Sequence, residues 1–322
     1  MLITLMTLLG AALAGLILVW LLAERADRRL ARRIHGQVLT AGRSGIGART
    51  VLSGRDMLKA AKVIEKSLPL LRVAGYGRRS IRAIYPILLI VEGLVYRGDH
   101  DYEDWQRGGT AEGGWHRDLA DYLSSIGADD AGIRSAIDDL RRYFKLESAM
   151  VTSPTPPTER MMTELARLRS SDVVLMVRIA FLFRATRVDE GFLRLVRPWL
   201  AIEEIREDLT SYDDDVAAGA FNTLDMYIRM YGDPGAKRLQ ALCARLLRTS
   251  ISEMGRASSR SLARFWDAFA GRTGGVPVVA PTLSLLLPRA GHRLIAVAIT
   301  RIVGGALGSV ARPPAERAVV QD

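Results

Sequence analysis

The sequence predicts an all-α protein, one apolar amino-terminal helix followed by a helical bundle. Three observations carry that expectation. Apolar residues recur at three- and four-residue spacing through most of the chain, no stretch alternates at period two for long, and β-branched clusters are short. With 322 residues, 49% hydrophobic and 25% charged, the chain is ordered and can bury a sizeable core.

Taken in order, Leu2 to Ala23 is apolar and uncharged. A run of about 20 such residues is long enough to cross a bilayer as a helix. Arg25, Arg28, Arg29, Arg32 and Arg33 follow it, and no basic side chain precedes it. The positive-inside rule then puts the body in the cytoplasm. A cleaved signal would carry its positive charge before the apolar run, so a retained anchor is expected. The organisation reads as an anchor (1–24), a basic juxtamembrane segment and loop (25–54), a helical bundle (55–273) and an apolar, basic tail (274–322). The loop glycines at 42, 45 and 47 do not fit a GxGxxG frame, and no strand-then-helix context supports a phosphate loop.

Met57, Leu58, Ala61 and Ile64, then Leu68 and Leu71, mark a first bundle helix. Ile81 to Tyr96 reads as a buried core helix, with Pro86 as a potential kink. Asp118 to Ile126 and Gly132 to Leu146 read as helices. The segment from Ser153 to Thr158 is a breaker, with Thr158 placed to cap a helix starting at Glu159. Helices then dominate to about Phe269. Leu294 to Val310 reads either as an amphipathic helix at the membrane surface or as a terminal helix packed on the bundle.

The net charge of +10 allows nucleic acid, anionic lipid or phosphorylated small molecules as partners. The basic residues are scattered rather than interleaved with aromatics, so no nucleic-acid partner is expected. Cys243 is the single cysteine, which excludes an intramolecular disulfide and a cysteine metal cage. His100 and His116 lack a third ligand at zinc spacing, and HExxH, GxSxG, CxxC and P-loop motifs are absent from the sequence.

The chemistry-bearing stretch runs from Arg206 to Asp215. Glu207, Ser211 and Asp215 stand at i, i+4 and i+8, one helical face, and carboxylate and hydroxyl oxygens suit a hard cation such as Mg²⁺. With Asp208, Leu209, Tyr212 and the downstream Gly219 to Asn222, this stretch resembles the second metal motif of class I terpene synthases, Asn/Asp-Asp-x-x-Ser/Thr-x-x-x-Glu. Glu207 stands where that family has Asn or Asp, Asp215 where it has Glu, and Asp214 where a basic residue is frequent.

Asp99-His100-Asp101-Tyr102-Glu103-Asp104 resembles a degenerate DDxxD motif, followed by Arg107-Gly108 as in trans-prenyl diphosphate synthases. Arg167-Leu168-Arg169-Ser170-Ser171-Asp172 resembles the segment that carries a diphosphate-sensing arginine. The resemblance implies the class I terpenoid synthase fold over roughly Ile81 to Phe269. It implies Mg²⁺ held by Asp99, Asp101, Asp104, Glu207, Ser211 and Asp215, and diphosphate contacted by Arg167 or Arg169. The implied activity is ionisation of a prenyl diphosphate, then cyclisation or rearrangement of the allylic cation. Two alternatives are a prenyltransferase of the same superfamily, chain-elongating or squalene/phytoene synthase-like, and a non-catalytic membrane-tethered helical scaffold.

Overall fold

The computed structural model describes residues 2–43, 52–106 and 113–272, with side chains described for 15–37, 52–106 and 113–269. Apart from short turns and connections, the described residues are helical, with no strand among them. The helices are α1 (Leu2–Arg43), α2 (Gly54–Val73), α3 (Arg78–Gln106), α4 (Trp115–Ser125), α5 (Ala131–Thr152) and α6 (Glu159–Leu168). They continue as α7 (Ser171–Phe183), α8 (Glu190–Thr210), α9 (Tyr212–Ala218), α10 (Thr223–Tyr231), α11 (Gly235–Met254) and α12 (Ser259–Arg272).

Local signals explain the boundaries. Ser53 and Asp56 form a reciprocal capping box at the start of α2. Thr158 accepts from the Met161 N–H and starts α6, as its position after the proline-rich breaker predicts. Pro86 does not end α3, which runs unbroken through it. The acidic cluster 99–104 therefore lies on the last turns of α3 itself, rather than after a helix ending near Tyr96. The cause is length: α3 packs on α1, α2, α4, α5 and α7, and that burial outweighs one missing backbone hydrogen bond.

The amino end of α3 is capped by another helix. The Asp27 carboxylate of α1 accepts from the backbone N–H groups of Gly77 (3.1 Å), Arg79 (2.9 Å) and Ser80 (3.1 Å), and from the Ser80 hydroxyl. Burial pushes the Asp27 pKa up, but these donors outweigh it and hold it below the usual carboxylate range. On the same face of α1, Leu30 and Ala31 are partly buried and Ile34 is fully buried. Asp27→Ala will strip several orphan donors of their acceptor and loosen α1 from α3, at a cost of about 2 kcal/mol. Chemical denaturation of the purified chain measures this, and an unchanged midpoint would refute the cross-helix cap.

Two buried clusters form the core. The larger joins α1–α5, α7, the first half of α8 and α12; the smaller joins the end of α5, α6, the second half of α8, α10 and α11. Tyr143 and Trp199 pack against both. Gly98 is required where α3 meets the fully buried Trp115, because a Cβ there would lie 2.5 Å from the indole Cδ2.

Among the described residues no helix is long and apolar enough to cross a membrane. The side chains of residues 2–14, the first part of the expected span Leu2–Ala23, lie outside the described residues, as does the tail beyond residue 272. What is described of that span is exposed: residues 16–22 are apolar on every side of α1, with Val19 66% and Trp20 62% accessible.

Candidate functional site

Where the two core clusters meet, α3, α5, the α6–α7 corner and α8 enclose a cavity of about 200 Å³. Its polar lining comes from Tyr96 and Asp99 of α3, Tyr143 of α5, Arg169, Ser170 and Asp172 at the corner, and Glu204 of α8. Leu140, Phe144 and Val95 supply apolar wall.

The corner is shaped by Ser170, whose φ of 61° and ψ of 23° lie in the left-handed region that a non-glycine side chain adopts at a cost. It ends α6, restarts the chain as α7 and leaves Arg169 between them. The Ser170 hydroxyl is buried without a hydrogen-bond partner among the described residues.

Arg169 is the cationic centre. Nη1 donates to Asp208 Oδ2 (2.7 Å) and Thr223 Oγ1 (2.8 Å), and Nη2 donates to Asp208 Oδ1 (2.6 Å). This is a two-point carboxylate fork. Nε makes no hydrogen bond and lies 3.9 Å from Glu204 Oε2. Asp208 in turn accepts from the Thr223 N–H at 3.1 Å and from the Thr223 hydroxyl, capping α10 beside Asn222.

Around that cation the carboxylates crowd one another. Burial, then Glu103, pushes Asp99 up to about 6 against the opposing pull of Lys59. Burial, then Asp99, pushes Glu147 up to about 7, against its hydrogen bond with Tyr143. Glu204 is pushed up to about 7 by burial, against the pull of Arg169 and with Asp172, Glu207 and Asp208 adding to the rise. Burial also raises Asp172 although backbone N–H groups at the start of α7 bond it. One turn below Tyr96, fully buried Glu92 has no hydrogen-bond partner among the described residues, and burial with Asp172 holds its pKa well above the ordinary value. The site is thus an acidic, partly open cleft that carries fewer negative charges at neutral pH than its residue types suggest.

The residues singled out from sequence divide. Asp99 and Arg169 line the cavity together. Asp101 faces elsewhere, against Gly113, with Arg97, Asp104, His100 and Asp118 as its charged neighbours. Asp104 is exposed, and His100 Nδ1 lies 2.8 Å from Asp56 Oδ1. The three-ligand reading of 99–104 does not converge, because α3 continues and successive residues turn 100° apart.

Glu207, Ser211 and Asp215 do not meet around one point either. Glu207 pairs with Lys66 of α2. The Ser211 hydroxyl donates to Asp215 Oδ2 (2.6 Å), which also accepts from Asn222 Nδ2 (2.9 Å). Ser211 stands between α8 and α9, so the expected single helix is two. Arg167 leaves the cavity altogether and lines a separate open groove of about 920 Å³ with Arg142, Arg160, Arg197, Arg238 and Arg245. Among the described residues no three His, Cys, Asp or Glu side chains are gathered to hold a metal ion. Arg107 and Gly108 lie outside the described residues.

Sequence reasoning missed Glu204, Glu147, Tyr143 and Glu92 as parts of this site. Two signals were there to read: Tyr143 and Glu147 stand at i, i+4, and Glu92 is the lone acid in the apolar stretch 81–96. Cys243 is buried and its thiol is pushed up to about 11, consistent with an inert packing residue. No protein-family model, curated protein or solved structure matches this chain.

Proposed function

We propose that the protein is a membrane-tethered, Mg²⁺-dependent enzyme of the class I isoprenoid synthase type. In this reading it ionises a prenyl diphosphate and cyclises or rearranges the allylic cation. The observation that carries this is the meeting of Asp99 and Arg169 at one cavity, which Glu204 of the acid-rich helix α8 also lines. The exposed apolar residues 16–22 and the arginines after them support the tether, with the body on the cytoplasmic side.

The donor set fits a hard divalent cation. It is all oxygen, it comes from two helices, α3 and α8, and its ionisation is opposed by burial and by like charges that a cation would relieve. Asp99 and Glu204 would hold Mg²⁺, with the Glu207, Ser211 and Asp215 column as the alternative ligand set. Bound Mg²⁺ supplies neutralisation of the departing diphosphate. The chain's own part is to orient the substrate, with Arg169 Nε as a donor held in place by Asp208. Tyr143, Phe144 and Tyr96 border the cavity and screen a cation from water. Ionisation breaks the allylic C–O bond, and the electron pair leaves with the diphosphate. A cavity of about 200 Å³ is smaller than the roughly 300–1,000 Å³ of ordinary ligand pockets, so a long prenyl chain requires the cavity to widen.

The test is incubation of the full chain in detergent with Mg²⁺ and geranyl, farnesyl or geranylgeranyl diphosphate, following diphosphate release. At least one substrate should turn over, and Asp99→Asn or Glu204→Gln should cut release by about 100-fold or more. A folded protein that releases diphosphate from none of them sinks the enzyme reading. Asp215→Ala distinguishes the ligand sets, since loss of turnover in that variant alone returns the metal to the 207–215 column. The non-catalytic scaffold is the second reading. It is favoured by the engagement of both Arg169 Nη atoms by Asp208 and of Glu207 by Lys66.

A further inference from the structure

Below the exposed apolar stretch, α1 carries basic side chains on one face: Arg25, Arg28, Arg32 and His35 recur at three- and four-residue spacing, with Arg29 beside them. All five are exposed. The start of α3 adds Arg79 and Arg82, so the two helices wall a shallow concavity of about 810 Å³. The nearby acids offset only one of these charges. Glu24 pairs with Arg79 at 3.6 Å, and Asp27 points the other way, into the α3 amino terminus. The Asp27 contacts also make the concavity a built feature, because they hold α1 and α3 in one register.

We propose that this concavity binds the headgroup of an anionic phospholipid and seats the bundle on the bilayer surface. The occupant follows from position and charge. The basic wall begins within one helical turn of residues 16–22, whose apolar side chains are exposed on every side. A lipid phosphate meets such a wall when the apolar stretch is in the acyl region, and each arginine near an anionic surface strengthens attachment about fivefold. The guanidinium groups bind phosphate oxygens at two points. Arg79 and Arg82 belong to the bundle rather than to the tether, so a headgroup shared by both helices fixes the orientation of the body as well as its attachment. This inference rests on the tethered placement above and is independent of the catalytic reading.

The experiment uses the full chain in non-ionic detergent, supplied with phosphatidylglycerol or phosphatidylcholine, reading lipid phosphorus retained per chain and the shift in Tm. Wild type should retain phosphatidylglycerol preferentially and gain thermal stability from it. The triple variant Arg28→Gln, Arg32→Gln, Arg82→Gln should lose about fivefold in retention per arginine removed, while its Tm in lipid-free micelles stays that of wild type. A charge-matched control at exposed positions elsewhere, Arg206→Gln, Arg248→Gln, Arg260→Gln, should keep the preference. Equal retention of the two lipids by wild type, or equal loss in the control, would overturn the inference. Displacement of the lipid by low-millimolar inorganic phosphate would reassign the site to a soluble anion and also overturn it. If wild type and variant both fractionate with membranes yet neither prefers anionic lipid, the headgroup site fails while the tether stands.

Discussion

Truncating either partner of the Arg169–Asp208 pair, by Arg169→Ala or Asp208→Ala, will destabilise the fold by about 3–5 kcal/mol. Only 12% of the Arg169 side chain and 8% of the Asp208 side chain are accessible. Removing one leaves the other as an uncompensated charge in a medium that solvates it poorly. Asp208→Ala also weakens the start of α10, because the Thr223 N–H and hydroxyl lose their acceptor while the Asn222 cap remains. Arg169→Lys will recover little, since an ammonium cannot reproduce the two-point fork and the bond to Thr223 together. The double variant will cost less than the sum of the two, with an interaction energy of about 1–3 kcal/mol. Urea unfolding of the four proteins in the cycle checks this. Additive single-variant losses of under about 1 kcal/mol each would show the pair to be solvated in solution.

In the absence of divalent cations the protein will be more stable at pH 5 than at pH 8, and Mg²⁺ will reverse most of the loss. Asp99 at about 6, and Glu147 and Glu204 at about 7, all lie above the ordinary carboxylate range of the unfolded chain. The folded state therefore binds protons more tightly than the unfolded state. The stability these groups add is fully present below their unfolded pKa and is lost as pH rises through 6 to 7. Glu92, raised further, acts with the same sign. Asp27 and Asp189 are held low, so their contributions are lost only in acid, below this window. After allowance for screening of the partly exposed Glu204, the fall in Tm is on the order of 5 °C. Millimolar Mg²⁺ at pH 8 should restore it, because a cation that binds only the folded site stabilises by mass action. Asp99→Asn with Glu204→Gln should abolish the Mg²⁺ response and reduce the pH dependence, leaving the part that Glu147 and Glu92 carry. A Tm that is level from pH 5 to 8, or that ignores Mg²⁺, would remove the physical basis for a metal at this cavity.

The secondary structure was largely legible. Thr158 announces a helix start through short-range capping geometry, and the apolar spacing of 57–71 is local to one element; the Ser53–Asp56 box was as local and went unread. Legibility failed where a distant helix decided the outcome. Pro86 reads as an interruption until the neighbours of α3 are counted, and the cap of α3 sits 50 residues upstream of Gly77. The site was half legible. Asp99 and Arg169 stood out from local motifs, but Asp101 and Arg167, each two residues away, turn to other surfaces. Glu204 was hidden among the charges of 203–208, where spacing alone does not tell an inward acid from a solvated one.

By itself the sequence determined the all-helical class, the helix start after the proline-rich breaker, and the apolar head with its arginine collar. These depend on side-chain type and on contacts within a few residues. Only the tertiary structure decided which acids face inward, that Asp208 engages the Arg169 fork, and that Glu207 is drawn to Lys66 on α2. The reason is physical: one helical step turns a side chain by 100°, and a carboxylate's ionisation depends on groups that other helices bring to it.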